Sequence, residues 1–321
     1  MSSTATFQRT PAAPAAAIPS PAFSSGSITA DWPMPTVASR AELEILLADD
    51  VPHGDLTTQA LGIGAAPGTM QFTARDAMVL ALAEDAAAIL ELAGCRVNLH
   101  AASGSVLEAG SSVLTAHGPA SALLRGWKVA QTLVEIWSGV ATEARAVVDA
   151  AHAVAPGIAV ACTRKNVPGT KRFAVAAVKA GGAVMHRLGL SETVLVFPEH
   201  RAFLNGELLG DSVERLRRAA PEKKLVIEVT TIEAAVVAAG AGFDVIQAEK
   251  FSPTGIAALV ARMMAMASMR QRPIVAAAGG IHAGNVAAYA EAGADVVVTS
   301  SPYLARPRDV QVRIGPLSKD P

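Results

Sequence analysis

Residues 224–250, KLVIEVTTIEAAVVAAGAGFDVIQAEK, decide the fold. Two short apolar runs, Lys224–Val229 and Asp244–Ala248, flank an Ala-rich stretch, Ile232–Ala239, with the composition of a helix. A strand, a helix and a second strand in this order make a βαβ unit, which places its strands side by side and parallel. The rhythm recurs outward. Strands are predicted at Ile158–Cys162, Val194–Phe197, Ile274–Ala277 and Ala294–Val298, and helices at Arg172–Ala180, Gly255–Met266 and Gly284–Ala292. The six strands are predominantly apolar, as strands buried on both faces are, and this fits a barrel better than an open sheet.

The exit of each predicted strand is polar. The chain leaves them through Thr163-Arg164-Lys165, Glu199-His200, Glu228 to Thr231, Glu249-Lys250, Gly279-Gly280-Ile281-His282 and Thr299-Ser300-Ser301. Barrel enzymes build their sites at this rim. The last two clusters are rich in Gly and Ser, as a phosphate site requires, because backbone N–H groups must approach the anion without a side chain between them. Taken singly, each loop would pass for an ordinary solvated turn, and His186 for a packed histidine. Glu228 is harder to dismiss, since it ends a buried apolar strand and a lone buried carboxylate is costly.

Upstream the pattern is different. Arg40–Asp49 reads as a short helix. Met70–Arg75, Arg96–His100 and Ser112–His117 read as strands and Ala83–Leu92 as a helix, with glycine turns between them. This predicts an α+β domain with an antiparallel sheet. Ser121–Ala153 carries apolar residues at helical spacing, with a predicted interruption near Ser138-Gly139. Residues 1–38 are rich in Ala, Pro and Ser and predict a disordered tail without the basic start and apolar block of a secretory signal.

The 321 residues are 51% hydrophobic and carry a formal charge of −1, so a large aliphatic core is available and no basic face points to nucleic acid. No run of about 18 uninterrupted apolar residues suggests a membrane span. The two cysteines, Cys95 and Cys162, lie in apolar runs and read as buried free thiols of a reducing compartment, which predicts a cytoplasmic protein. The histidines have no zinc-ligand spacing.

Two motifs narrow the reading. Thr163-Arg164-Lys165-Asn166-Val167-Pro168-Gly169 precedes Gly181-Gly182-Ala183-Val184-Met185-His186-Arg187-Leu188-Gly189-Leu190. This T-R-K-x-x-P-G and G-G-x-x-x-H-R-L-G-L pair is similar to the signature of quinolinate phosphoribosyltransferases. The resemblance runs from about Leu46, through Gly54-Asp55-Leu56-Thr57-Thr58, to about residue 310. Gly189-Leu190-Ser191-Glu192-Thr193 and Phe197-Pro198-Glu199-His200 resemble the ModD subgroup, found with molybdate-transport genes.

The resemblance implies a small α/β-sandwich domain at 39–127, with 306–321 packing back on it, and an α/β (TIM-like) barrel at 128–305. It implies a reaction between phosphoribosyl pyrophosphate, with Mg2+, and an anionic heterocyclic acceptor, in a homodimer with shared sites. By the same likeness Arg164, His186, Arg187, Lys171 and Phe197 bind the acceptor, and Lys128 reaches in from a neighbouring subunit. Lys165, Glu228 and Glu249 stand at the reacting centre, the two glutamates also as magnesium ligands. Ala278, Gly279, Gly280, Ser300 and Ser301 hold phosphate.

Four positions depart from the family pattern. Phe197 stands for a lysine, Lys128 for an arginine, Glu249-Lys250 for Asp-Asn, and Ala278 for a serine. The cation lost at Phe197 and the arginine replaced by Lys128 fall where anionic groups of the acceptor would be held, so the donor half is expected to be kept and the acceptor half remodelled. Two alternatives stay open: a carboxylating quinolinate enzyme of NAD biosynthesis, and a non-catalytic molybdate-linked binding protein.

Overall fold

The computed structural model describes residues 36–266 and 272–317. Residues 1–35 of the expected tail lie outside the described residues. Its last positions do not hang free. Val37 and Ala38 donate their backbone N–H groups to the Asp85 carboxylate at 3.0–3.2 Å, and Ala38 is buried.

The first part of the chain runs α1 (Arg40–Asp50), α2 (Leu56–Ala60), β1 (Pro67–Ala74), β2 (Met78–Val79), α3 (Ala83–Ala93), β3 (Arg96–Leu99), β4 (Val106–Leu107) and β5 (Ser112–Pro119). Helix α1 starts on a capping box, in which Ser39 and Glu42 each satisfy the other's backbone N–H. Strands β1, β3 and β5 pair antiparallel, and β1 alternates exposed and buried residues, with Met70 and Phe72 fully inside. The far edge of β1 is covered by a strand from the other end of the chain, β13 (Val310–Pro316), giving the order β13-β1-β5-β3. The pair β2–β4 stands apart as a short ladder.

Helix α4 (Ala120–His152) then runs 33 residues without a break. The interruption expected at Ser138-Gly139 does not occur, because the two small residues serve packing. The Ser138 hydroxyl accepts the Ala81 N–H at 3.0 Å. Gly139 lets the backbone near Arg306 close on the helix: a Cβ there would lie 2.3 Å from the Arg306 carbonyl oxygen. Once past Arg306 the chain is tied to α4 by Arg308 N–H to the Glu135 carbonyl, Val310 N–H to the Glu135 side chain, and Gln131 to the Val310 carbonyl.

The second part runs β6 (Ala159–Cys162), α5 (Lys171–Ala180), β7 (Val184–Met185), β8 (Val194–Val196), α6 (Pro198–Arg201), α7 (Leu209–Ala219), β9 (Leu225–Val229), α8 (Ile232–Ala241), β10 (Val245–Glu249), α9 (Pro253–Met264), β11 (Ile274–Ala278), α10 (Val286–Glu291), β12 (Val296–Thr299), a 3-10 turn at Ser301–Leu304, and finally β13. Seven strands form one parallel sheet in the order β7-β6-β12-β11-β10-β9-β8. The expected βαβ rhythm is therefore present, with two qualifications of the barrel. A seventh strand, β7, is only two residues long and precedes the motif histidine. The sheet curls but does not close, and β7 and β8 are its two edges.

The core is aliphatic and continuous through both parts, with Leu225, Ile227 and Ile246 among its fully buried side chains. Cys95 and Cys162 are buried and unpaired. Burial pushes their thiols up, to about 11 and about 12, so neither is a thiolate at neutral pH. Among the described residues no helix is long and apolar enough to cross a membrane.

Candidate active site

At the C-terminal end of the parallel sheet lies a cleft of about 840 Å³. Every strand of the sheet supplies a lining residue or the loop that carries one, so the rim is populated in sheet order. Edge strand β7 leads into His186 and Arg187, and its neighbour β6 into Thr163, Arg164 and Lys165. Next come Ser300 and Ser301 after β12, then Gly279, Gly280, Ile281 and His282 after β11. Beside them stand Glu249 and Gln247 of β10 and Glu228 of β9, and Leu195, Phe197 and Glu199 belong to the far edge at β8. The rim thus grades from cations, through a glycine- and serine-rich sector, to carboxylates.

The cationic sector is uncompensated. Among the described residues Arg164, Lys165 and Arg187 form no ion pair within the protein. Arg187 is only 6% exposed, and a charge so placed is costly without a partner. Burial, and then the neighbouring Arg164, pulls its pKa down. Burial also depresses His186, and Arg187 and Arg164 push the same way, so its imidazole is neutral at physiological pH. A neutral ring can donate one hydrogen bond while the arginines supply the charge.

The acidic sector owes its geometry to strand register. Parallel pairing sets Gln247 opposite Glu228, and the Gln247 amide donates to the Glu228 carboxylate at 2.8 Å. Burial raises the Glu228 pKa, and the charges of Glu249 and Glu199 add to the rise, while Gln247 and Lys165 oppose it. Gln247 is 5% exposed, and its carbonyl oxygen has no partner among the described residues.

Between these sectors the backbone is arranged for close approach. Gly279 and Gly280 have φ of +93° and +73°, the left-handed region that side chains disfavour. A Cβ on Gly279 would also meet the Lys250 N at 2.9 Å and a Glu249 carboxylate oxygen at 3.0 Å. Asn285 caps the loop by donating to the Gly280 carbonyl at 3.0 Å. Ser300 shares a 2.6 Å hydrogen bond with Thr163, and Tyr303 donates to the Thr163 carbonyl at 2.8 Å. The serine loop and the Arg164–Lys165 loop are therefore held as one piece.

The open seam between β7 and β8 is bridged by side chains. The Arg187 guanidinium carbon lies 5.5 Å from the centre of the Phe197 ring, and the ring stacks on His200 at 5.8 Å.

Of the residues expected from the sequence, twelve come together here: Arg164, Lys165, His186, Arg187, Phe197, Glu228, Glu249, Ala278, Gly279, Gly280, Ser300 and Ser301. Lys128 and Lys171 do not line the cleft. Lys128 is exposed on α4, 4.2 Å above the Trp127 ring, and Lys171 opens α5 with its amine near Gly189. Thr163, Glu199 and His282 lay in the polar strand exits read from the sequence but were given no role, and Gln247 was not singled out at all. Gln247 had a signal: it is polar within an apolar strand and two residues before Glu249, hence on the same face.

Family models for the N-terminal and C-terminal domains of quinolinate phosphoribosyl transferase match residues 55–138 and 140–313. The chain belongs to the quinolinate phosphoribosyltransferase family. It is 49% identical over 245 residues, 76% of this chain and 93% of the relative, to a protein of Rhodobacter capsulatus named as the pyrophosphorylase ModD. It is 33% identical over 201 residues, 61% of this chain and 69% of the relative, to the carboxylating nicotinate-nucleotide pyrophosphorylase of Mycobacterium leprae. The crystal structure of NadC from Streptococcus pyogenes superposes with a TM-score of 0.78 at 25% identity, covering 87% of this chain and 96% of that one. The chain is thus a ModD-like member of a family of phosphoribosyl-transferring enzymes, related to the NadC branch.

Proposed function

We propose that this quinolinate phosphoribosyltransferase-family protein transfers a phosphoribosyl group between phosphoribosyl pyrophosphate and an anionic heterocyclic acceptor. The observation that carries the reading is the division of one cleft into unpaired cations, a positive-φ glycine loop and clustered carboxylates. In the forward direction a ring nitrogen of the acceptor gives its lone pair to C1 of the ribose. The C1–oxygen bond to pyrophosphate breaks, and its electron pair leaves with the pyrophosphate. Positive charge develops on the sugar as the bond opens, and Glu228 and Glu249 are suited to stabilise it. Lys165, the member of the cationic sector whose charge reaches Glu228, is suited to the departing phosphate. Backbone N–H groups at Gly279, Gly280 and Ser300, with the Ser301 hydroxyl, would cradle the remaining phosphates, with Ala278 as their floor.

Magnesium fits this arrangement as a passenger of the donor. Among the described residues no three His, Cys, Asp or Glu side chains are grouped to hold a metal alone. Magnesium commonly takes one or two protein carboxylates and completes its shell with phosphate oxygens and water. Glu228 and Glu249 would provide the carboxylates, and the ion would offset the mutual repulsion that raises the Glu228 pKa.

We further propose a dimer in which Lys128 of one subunit serves the cleft of the other. The exposure of Lys128 and its absence from its own cleft support this. The likeness to ModD proteins supports a place in molybdate utilisation.

Donor binding is the direct test. Phosphoribosyl pyrophosphate with magnesium, at about 100 times its dissociation constant, should stabilise the fold by roughly 2.7 kcal/mol. A melting temperature unmoved by millimolar donor and magnesium would defeat the transferase reading. Pyrophosphate release across a panel of heterocycles then identifies the acceptor, and rapid formation of nicotinate mononucleotide from quinolinate would place the chain with the carboxylating enzymes.

A further inference from the structure

The cleft has one wall that the donor chemistry does not use. Phe197 lies at the exit of β8, with Leu195 two residues before it on the same face, and both line the cavity. The phenyl ring has the Arg187 guanidinium at 5.5 Å and His200 stacked on it at 5.8 Å and 20°. Its backbone is pinned as well, since the Phe197 N–H donates to the His200 Nδ1 at 2.9 Å. This wall offers no charge and little freedom to swing away.

We propose that Phe197 selects the acceptor, which is a planar heteroaromatic ring bearing a single anionic group. The inference rests on the transferase reading and narrows it to a substrate class. An anion laid against the Phe197 face would lose its water and meet the negative face of the ring. The anionic group must therefore point to the Arg164, His186 and Arg187 side, where two guanidinium groups and one neutral imidazole await it. A second anion elsewhere on the ring has no comparable place. With Lys165 and the glycine–serine sector taken by the phosphates of the donor, it would meet either the apolar wall of Leu195 and Phe197 or the carboxylates Glu199, Glu228 and Glu249. The aromatic wall instead suits the flat face of a ring, and offset stacking on a fixed phenyl favours planarity.

Binding calorimetry with two probes tests this directly. Pyridine-3-carboxylate and pyridine-2,3-dicarboxylate differ by one anionic group, and each is titrated into wild type, Phe197→Lys and Phe197→Leu in the presence of donor and magnesium. Wild type should bind the monocarboxylate at least as tightly as the dicarboxylate. Phe197→Lys, which places a cation on the wall, should raise dicarboxylate affinity about tenfold, the gain expected of one charge-assisted contact. Phe197→Leu, which keeps the wall apolar but removes the stacking face, should weaken the monocarboxylate severalfold. Should the Lys variant fail to fold, the wild-type and Leu titrations decide the matter. A wild-type preference for the dicarboxylate of tenfold or more, or no binding of either probe while the donor still stabilises the fold, overturns the proposal and leaves the transferase reading standing. Absence of donor stabilisation in wild type removes the transferase reading instead, so the two failures are distinguishable.

Discussion

Glu228 shows how one side chain can be poorly suited to the fold and well suited to the chemistry. Its pKa is raised by burial and by two neighbouring carboxylates, so ionisation is easier in the unfolded chain than in the folded one. Linkage sets the sign. The stability of the protonated form is fully present below the ordinary value of 4.5 and is lost as pH rises through the higher folded value. Glu228→Gln removes that loss while retaining an acceptor for the Gln247 amide. The variant should melt higher than wild type at pH 7.5. The gap should close as pH falls toward 4.5, and the variant should lose most of the stabilisation given by donor and magnesium. Thermal melts across pH, with and without donor, check all three; a variant less stable than wild type at pH 7.5 would refute the sign. Arg187 shows the same tension with opposite charge, since it is buried and forms no ion pair among the described residues.

At the scale of elements, α4 illustrates two rules in competition. Glycine is worth about 1 kcal/mol less than alanine inside a helix, and local propensity therefore predicts a break at Ser138-Gly139. Packing outweighs it, because the backbone at Arg306 occupies the space a Cβ would need. Gly139→Ala should gain that propensity and still destabilise, since overpacking typically costs roughly 1–3 kcal/mol. The expected result is a net loss of about 1 kcal/mol in urea unfolding, with faster amide exchange over 306–310. A stabilised variant would show that the segment yields to the helix without cost. The site depends on elements in a similar way. Gln247 meets Glu228 because β10 pairs with β9 in one register, and a slip of one residue would turn Gln247 and Glu249 out of the cleft.

The whole molecule is stitched end to end. Strand β13 pairs with β1 from Ala74 opposite Val310 to Gly68 opposite Pro316, so two chain-distant strands form one sheet. Helix α4 contacts elements of both parts, including α3 and α5. On this frame Lys128 is carried outward while Arg164 lines the cleft, which is the arrangement a shared site requires. Lys128→Ala and Arg164→Ala are each expected to be inactive alone. Mixed and allowed to exchange, they should recover roughly a quarter of wild-type activity if the proposed dimer holds, because about half the dimers would be hybrid and each hybrid would have one intact site. Pyrophosphate release from the mixture reads the outcome, and verified subunit exchange without recovery rejects the shared site.

Patterns set by local physics were legible in the chain. The βαβ rhythm of 224–250 and the polar exits of the strands each reflect which part of an element meets the core. The two motifs also singled out Arg164, Lys165, His186 and Arg187, although the short strand β7 that leads into His186 was not anticipated. Long-range closure was not legible. That the sheet stays open between β7 and β8, that Arg187 and Phe197 span the seam, and that Gly139 admits the Arg306 backbone all depend on contacts between distant segments. The same holds for the Glu228 pKa, which answers to Gln247 and Glu249 on the neighbouring strand and to Glu199 and Lys165 at two other strand exits. Short-range spacing records which side of its own element a residue faces; only the folded chain decides what stands opposite it.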